Sequence, residues 1–317
     1  MVQIVGAPVQ AEPGESGHDW AADCRQFAVR VLRGIGQVTF LPRALSGALF
    51  AAALFAAGWQ YGVYGVGGAA VGTGVAWLLG VEPERLAQGL EGFNACLVGV
   101  SCAVFLGAGR AATVVVALVG CAVVTVVTAA AGRAFGAWGL PALTLPFCAV
   151  ATAVTLGAAP APTAQAARAA AGVEVELADV VRGFLAGFGQ IFLMPQWYAG
   201  AFVLAGLLVA GPRVAGVACL GNAAGMAVAW ALGVPAAHLG DGTSGYNAAL
   251  VALALCGVFL AGGVRTLLYA LLGAVVATAV APTLGGHVLT WPFVLTTLVF
   301  LAGARSFPRL TAPPSRT

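Results

Sequence analysis

The sequence predicts an all-α integral membrane protein of about ten transmembrane helices plus two re-entrant half-helices, arranged as two inverted-topology repeats. Three observations carry that expectation. Of 317 residues, 61% are hydrophobic and 8% charged, with a mean hydropathy of +0.97, which is too little charge to cover a soluble surface. Apolar runs near 20 residues, the length at which a helix crosses the hydrocarbon core, recur along the chain. The same short phrases also return at a fixed spacing.

In chain order, residues 1–24 form a polar tail containing AEPGESGHDW. It has no basic region followed by an apolar core, so no cleaved signal peptide is expected and the N-terminus is expected in the cytoplasm. A first repeat covers 25–157. A segment at 20–41 is charged at its start, apolar for only ten to fourteen residues and ends in GIGQVTFLP; it is too short to span and fits a re-entrant half-helix. Five spans follow, near 44–60, 63–80, 90–108, 111–131 and 138–157. The linker at 158–175, with PAPTAQAARAAAG, is the long polar break. A second repeat, 176–304, opens on a segment at 176–194 ending in GFGQIFLMP and continues with spans near 196–211, 213–233, 244–261, 263–281 and 287–304. Residues 305–317 form a C-terminal tail.

At an offset of 153, GIGQ (34–37) faces GFGQ (187–190), Pro42 and Gly47 face Pro195 and Gly200, and GFNACLVG (92–99) faces GYNAALVA (245–252). LTLPF (143–147) faces LTWPF (289–293) at an offset of 146. Five spans is an odd number, so the second copy enters from the opposite side and the repeat is inverted. Arginine placement agrees: eleven arginines fall on the side of the N-terminus and three on the other, which puts both termini in the cytoplasm. All 14 basic residues are arginine, a bias suggesting a GC-rich bacterial genome and hence a bacterial cytoplasmic (inner) membrane. Most of the seven cysteines lie in apolar runs, where they pack as small residues and imply no disulfide framework.

A glutamine amide in an apolar stretch carries donors and an acceptor that need partners. A half-helix stopping inside the bilayer would leave its last four carbonyls free, and two inverted copies would aim such rows at the midplane. Gln37 and Gln190 are expected near the two mouths, each offering an amide oxygen, and Thr144 and Thr290 near the centre. Each threonine precedes x-Pro-Phe, where proline is expected to free local carbonyls at an acceptor-lined kink. The spans hold almost no ionisable residue: Glu91 is expected at a helix start facing headgroups, Asp241 in a loop and His287 at a span boundary. A pore without fixed charge suits a neutral solute moving down its gradient. His18, His238 and His287 are far apart, with no H-x-x-x-H or Ser-His-Asp grouping, so no enzyme activity, metal or cofactor is expected. Asn94 and Asn247 are expected to join neighbouring helices.

The pairing of GIGQ and GFGQ with GFN and GYN helices and two Leu-Thr-x-Pro-Phe segments resembles the urea transporter family, over roughly residues 25–304. The resemblance implies a homotrimer with one pore per protomer, embedded in membrane lipid with no nucleic-acid partner, and passive, channel-like conduction of urea. It implies a narrow slot between aromatic and aliphatic side chains, with rows of oxygens accepting the N–H groups of urea. By motif position, Gln37 and Phe40 carry over to one mouth, and Gln190 and Ile191 to the other. Phe93 with Leu97, and Tyr246 with Leu250, carry over to the slot walls, and Thr144 and Thr290 to a central hydroxyl pair. The chain departs from the family pattern in three places. LPRALSG and MPQWYAG replace a paired-asparagine turn, Gln190 stands where some relatives have glutamate, and Leu90 and Thr243 stand where an aromatic completes the slot. The alternatives are a channel for another small neutral amide or for ammonia, and an ion-coupled secondary transporter. An ammonia channel is expected to carry paired midpore histidines, and a coupled transporter an acidic or basic residue at the midplane.

Overall fold

The computed structural model describes residues 20–157, 177–234, 240–285 and 288–310. The expected linker 158–175, His18, His238, His287 and the outer parts of both tails lie outside them. Among the described residues there are thirteen α-helices and no strand, in line with the all-α expectation. They are α1 Trp20–Gln37, α2 Ala44–Ala57, α3 Trp59–Leu78, α4 Pro83–Ala87, α5 Phe93–Cys102, α6 Ala111–Gly136, α7 Leu145–Gly157, α8 Leu177–Gln190, α9 Trp197–Ala210, α10 Pro212–Ala231, α11 Tyr246–Leu255, α12 Val264–Val280 and α13 Trp291–Ala304. A π-helical turn, Ala103–Gly107, extends α5, and a 3-10 turn, Ala281–Leu284, extends α12.

Helix α6 is patterned the opposite way from a helix of a soluble protein. On α6 the buried residues are mostly small or polar (Thr113, Ala117, Gly120, Cys121, Thr125, Thr128, with Val124 the exception), recurring every three to four positions. The large apolar side chains Val115, Leu118, Val119 and Val126 are more than half exposed. Small residues inside let backbones approach and large ones outside meet lipid, because in a membrane no hydrophobic force drives helices together. Three helices are long and apolar enough to cross a membrane: α6, α10, and α12 with its extension to Leu284. Glycine-rich α3 is as long as α10 at 20 residues and carries exposed Trp59 and Trp77 at its ends. They are about 27 Å apart along the axis, close to the hydrocarbon thickness.

The helices over several other expected spans are shorter. α2, α7, α9, α11 and α13 have 10 to 14 residues, at most about 21 Å against a core of about 30 Å. The apolar runs at 138–157 and 287–304 do not form one helix each, because Leu143 (φ 53°) and Leu289 (φ 46°) are left-handed. The helix begins only after that break, at Leu145 or Trp291.

Local backbone conformation recurs at the sequence offsets. Phe40 (φ 64°) and Leu193 (φ 63°) are left-handed at an offset of 153, as are Gly80 and Gly233 (both φ 76°); Leu143 and Leu289 are so at 146. Gly47 and Gly200 each sit where a Cβ would come within 1.7 Å of a carbonyl oxygen, that of Leu32 or Leu185. Glycine there allows α1 to lie on α2 and α8 on α9. The two halves of the chain meet chiefly along α2 and α9, where the Ser46 hydroxyl donates to Gly206 O at 2.9 Å and Phe50 stacks on Phe192 at 5.4 Å. Arg43 donates to the terminal carbonyl of α9 at Ala210, 2.7 Å away. They meet again where α7 and α13 begin.

Candidate functional site

The two Leu-Thr-x-Pro-Phe segments are helix starts. Thr290 is the N-cap of α13, and Thr144 stands just before α7. Proline occupies the second helical position of each, where its missing N–H would have had no intrahelical partner anyway. The carbonyls of Thr144 and Thr290 accept from Cys148 and Val294 N–H at 2.9 and 3.0 Å. The acceptor-lined kink expected at each proline is therefore replaced by the first turn of a helix. That turn brings the two hydroxyls together: Thr144 Oγ1 and Thr290 Oγ1 are 2.7 Å apart, both residues 3% exposed, and joined across 146 positions of chain. This is an ordinary O–H···O distance.

The pair sits in asymmetric surroundings. On the Thr290 side the Tyr246 hydroxyl and Asn247 Nδ2 both donate to Leu289 O, the latter at 3.2 Å, and Phe293 N–H donates to Asn247 Oδ1 at 3.3 Å. The first turn of α11 thereby clamps the left-handed turn that presents Thr290. On the other side Phe93 has no hydroxyl, and Asn94 Nδ2 donates instead to Thr128 Oγ1 at 3.1 Å, leaving Asn94 Oδ1 buried without a partner. Both asparagines join neighbouring elements, as expected. Cys148 Sγ, one turn into α7, is 3.1 Å from Thr290 Oγ1. By contrast, Thr125 bonds back to Cys121 O within its own helix at 3.0 Å.

Gln37 and Gln190 close α1 and α8 in matching ways. Gln37 Nε2 donates to Gln88 O at 2.9 Å, and Gln190 Nε2 donates to Asp241 O at 2.8 Å. Each amide gives one N–H to backbone, and its oxygen is an acceptor. The rows of free carbonyls expected at these helix ends are not there. Ile35, Gly36 and Gln37 O accept from Val38, Thr39 and Phe40 N–H, and Phe188, Gly189 and Gln190 O from Ile191, Phe192 and Leu193 N–H. A tight turn consumes them, a common fate of helix C-termini. Glu91 also differs from its expected place. It lies in the turn before α5, 4% exposed, and takes Arg85 Nε and Nη2 on Oε1 at 2.9 and 2.6 Å. A carboxylate so buried is retained with its charge partner rather than turned to headgroups.

The half-buried Phe40 ring packs against Phe259 and Phe293 with centroids 5.7 and 6.1 Å away, which links it to the second Thr-containing helix start. Phe40, Tyr246, Thr144 and Thr290 are thus joined through Phe293 and Leu289. Phe93 is half-buried against the core, and Leu97, Ile191 and Leu250 are each 1% exposed within it. Sequence reading missed Cys148, Phe259 and the turn at Leu289. Cys148 was within reach: with α7 starting at Leu145 it is four residues after Thr144 and so on the same helix face.

The family model described as Urea transporter matches residues 28–305. A protein of Rattus norvegicus called urea transporter 1 is 29% identical over 309 residues, covering 91% of this chain and 80% of the relative. Those of Ovis aries and Capra hircus, carrying the same name, are each 28% identical over the same shares.

Proposed function

Because the chain belongs to the urea transporter family, we propose that it conducts urea passively through a narrow path centred on the Thr144–Thr290 hydroxyl pair. The observation that carries the reading is that pair itself. Two neutral hydroxyls from distant parts of the chain meet at 2.7 Å in the buried interior, and the third group beside them is an uncharged thiol. Urea entering a dry constriction loses water from its carbonyl and four N–H bonds, and an amide-like group left unpaired costs roughly 2–7 kcal/mol. Hydroxyls that accept from N–H and donate to C=O offset that cost without fixing a charge, and bonds worth about 0.5–1.5 kcal/mol each hold the solute only loosely. The expected affinity is millimolar.

In this reading Phe40 and the amide oxygen of Gln37 form one mouth, Ile191 and Gln190 the other, and Phe93 with Leu97 and Tyr246 with Leu250 the walls. The two repeats are inverted: the recurring left-handed residues support the repeat, and the odd span count and the arginine bias support its inversion, the latter also favouring cytoplasmic termini. The family resemblance supports a homotrimer with one path per protomer, and the composition a bacterial inner-membrane location. The test is stopped-flow light scattering on proteoliposomes with urea, formamide, acetamide and glycerol. Urea is expected to permeate fastest; glycerol permeating faster than urea would overturn the assignment.

A further inference from the structure

A cavity of about 310 Å³ opens beside α1, between Arg25, Gln26, Val29, Arg30 and Arg33 of that helix and Ala87 at the end of α4. Arg25, Val29 and Arg33 fall four residues apart and form one stripe, with Gln26 and Arg30 alongside. Three arginines thus line one small opening, and no carboxylate among the described residues lines it. The acids nearest in chain to Ala87 are engaged elsewhere: Glu84 accepts from Gln88 Nε2 at 2.8 Å, and Glu91 holds Arg85. Arg33 is fixed in place, its Nη1 donating to Ala87 O at 2.7 Å. Among the described residues its Nε is buried with no partner, and Arg30 lies 3.5 Å from Gln26 Oε1. On the outer half of α1, Trp20 and Phe27 are 73% and 38% exposed. Arginines together with exposed aromatics on one helix mark an element that lies at the membrane surface. Trp77, exposed at the end of α3 just before α4, is a further aromatic of that kind.

We propose that this cavity binds the phosphate of an anionic membrane lipid, held by Arg25, Arg30 and Arg33, with Trp20 and Phe27 in the headgroup boundary. Guanidinium groups match phosphate oxygens in pairs, and the mutual repulsion of three cations is relieved by one anion. The site is independent of the solute path. The test is native mass spectrometry of the full chain in detergent mixed with equal phosphatidylglycerol and phosphatidylcholine, with a parallel arm containing millimolar inorganic phosphate. The wild type is expected to retain phosphatidylglycerol in preference. Arg25→Gln with Arg30→Gln, both on the accessible part of α1, is expected to lower that retention on the order of twentyfold, at about fivefold per arginine near an anionic surface. Equal retention by wild type and variant would overturn the proposal, as would displacement of the lipid by inorganic phosphate, which would indicate a free-anion site. If the double variant fails to fold, the wild-type arms alone decide, since no preference for the anionic lipid defeats the proposal.

Discussion

Thr144 and Thr290 occupy equivalent places in the two Leu-Thr-x-Pro-Phe segments, yet they are not chemically equivalent. Thr290 touches both Thr144 and Cys148, and the position matching Cys148 at the 146 offset is Val294, which has no thiol. Replacing either threonine by valine keeps the shape and removes a hydroxyl, an unmet polar group costing about 1–3 kcal/mol, so urea flux is expected to fall at least roughly fivefold. Thr290→Val is expected to be the more severe, because it strips a partner from both Thr144 and Cys148. Thr125→Val, which deletes only a bond within one helix, is expected to leave flux unchanged. Stopped-flow flux from folded protein decides, and a Thr290 variant conducting like wild type would remove the central site. One residue earlier, Tyr246 and Asn247 share Leu289 O. Tyr246→Phe therefore leaves that carbonyl one donor and is expected to lower stability by about 1 kcal/mol. The double change with Asn247→Ala, which orphans the carbonyl, is expected to cost more than the sum of the two single changes, measured by thermal unfolding in detergent.

At the scale of elements, close helix crossings rest on a few glycines. A Cβ at Gly47 or Gly200 would come within 1.7 Å of backbone oxygen, whereas Gly67 and Gly74 have nothing within 4 Å. Gly47→Ala and Gly200→Ala are expected to abolish a monodisperse, folded product on size-exclusion chromatography. Gly67→Ala and Gly74→Ala are expected to elute normally, since alanine in place of an open helical glycine is neutral or mildly stabilising. The pairing of Gly47 with Gly200 was legible in the sequence, because a fixed offset transfers one copy's constraints to the other. The equivalence of Thr144 and Thr290 was legible for the same reason, whereas their joining as a pair came from the family resemblance. Helix boundaries were not. Hydropathy sees apolar runs at 138–157 and 287–304, but the break at Leu143 and Leu289 depends on a left-handed backbone that a leucine side chain does not advertise. The clamp by Tyr246 and the orphaned Asn94 oxygen were equally hidden, because both depend on which carbonyl the fold places opposite each side chain. The pairing of Glu91 with Arg85 was missed because it depends on the turn between α4 and α5, where Gly89 is left-handed (φ 77°).

For the whole molecule, the central claim is that solute moves without coupling. Among the described residues, the hydrogen bonds of the Thr144–Thr290–Cys148 group join it to no acidic or basic side chain. The buried carboxylate of Glu91 is neutralised in place by Arg85. A protein that concentrates its substrate must bind an ion or proton whose gradient does work, and such sites use ionisable residues or freed helix-end carbonyls. Here the last three helix-end carbonyls of α1 and of α8 already accept N–H from their own turns. The most direct test loads proteoliposomes with buffer, adds radiolabelled urea outside, and compares internal with external urea after imposing a proton or sodium gradient. Passive conduction predicts that urea enters to equality with the bath and stops there under every gradient, at a rate that falls with Thr290→Val. Accumulation above the bath that collapses when the gradient is dissipated would contradict it.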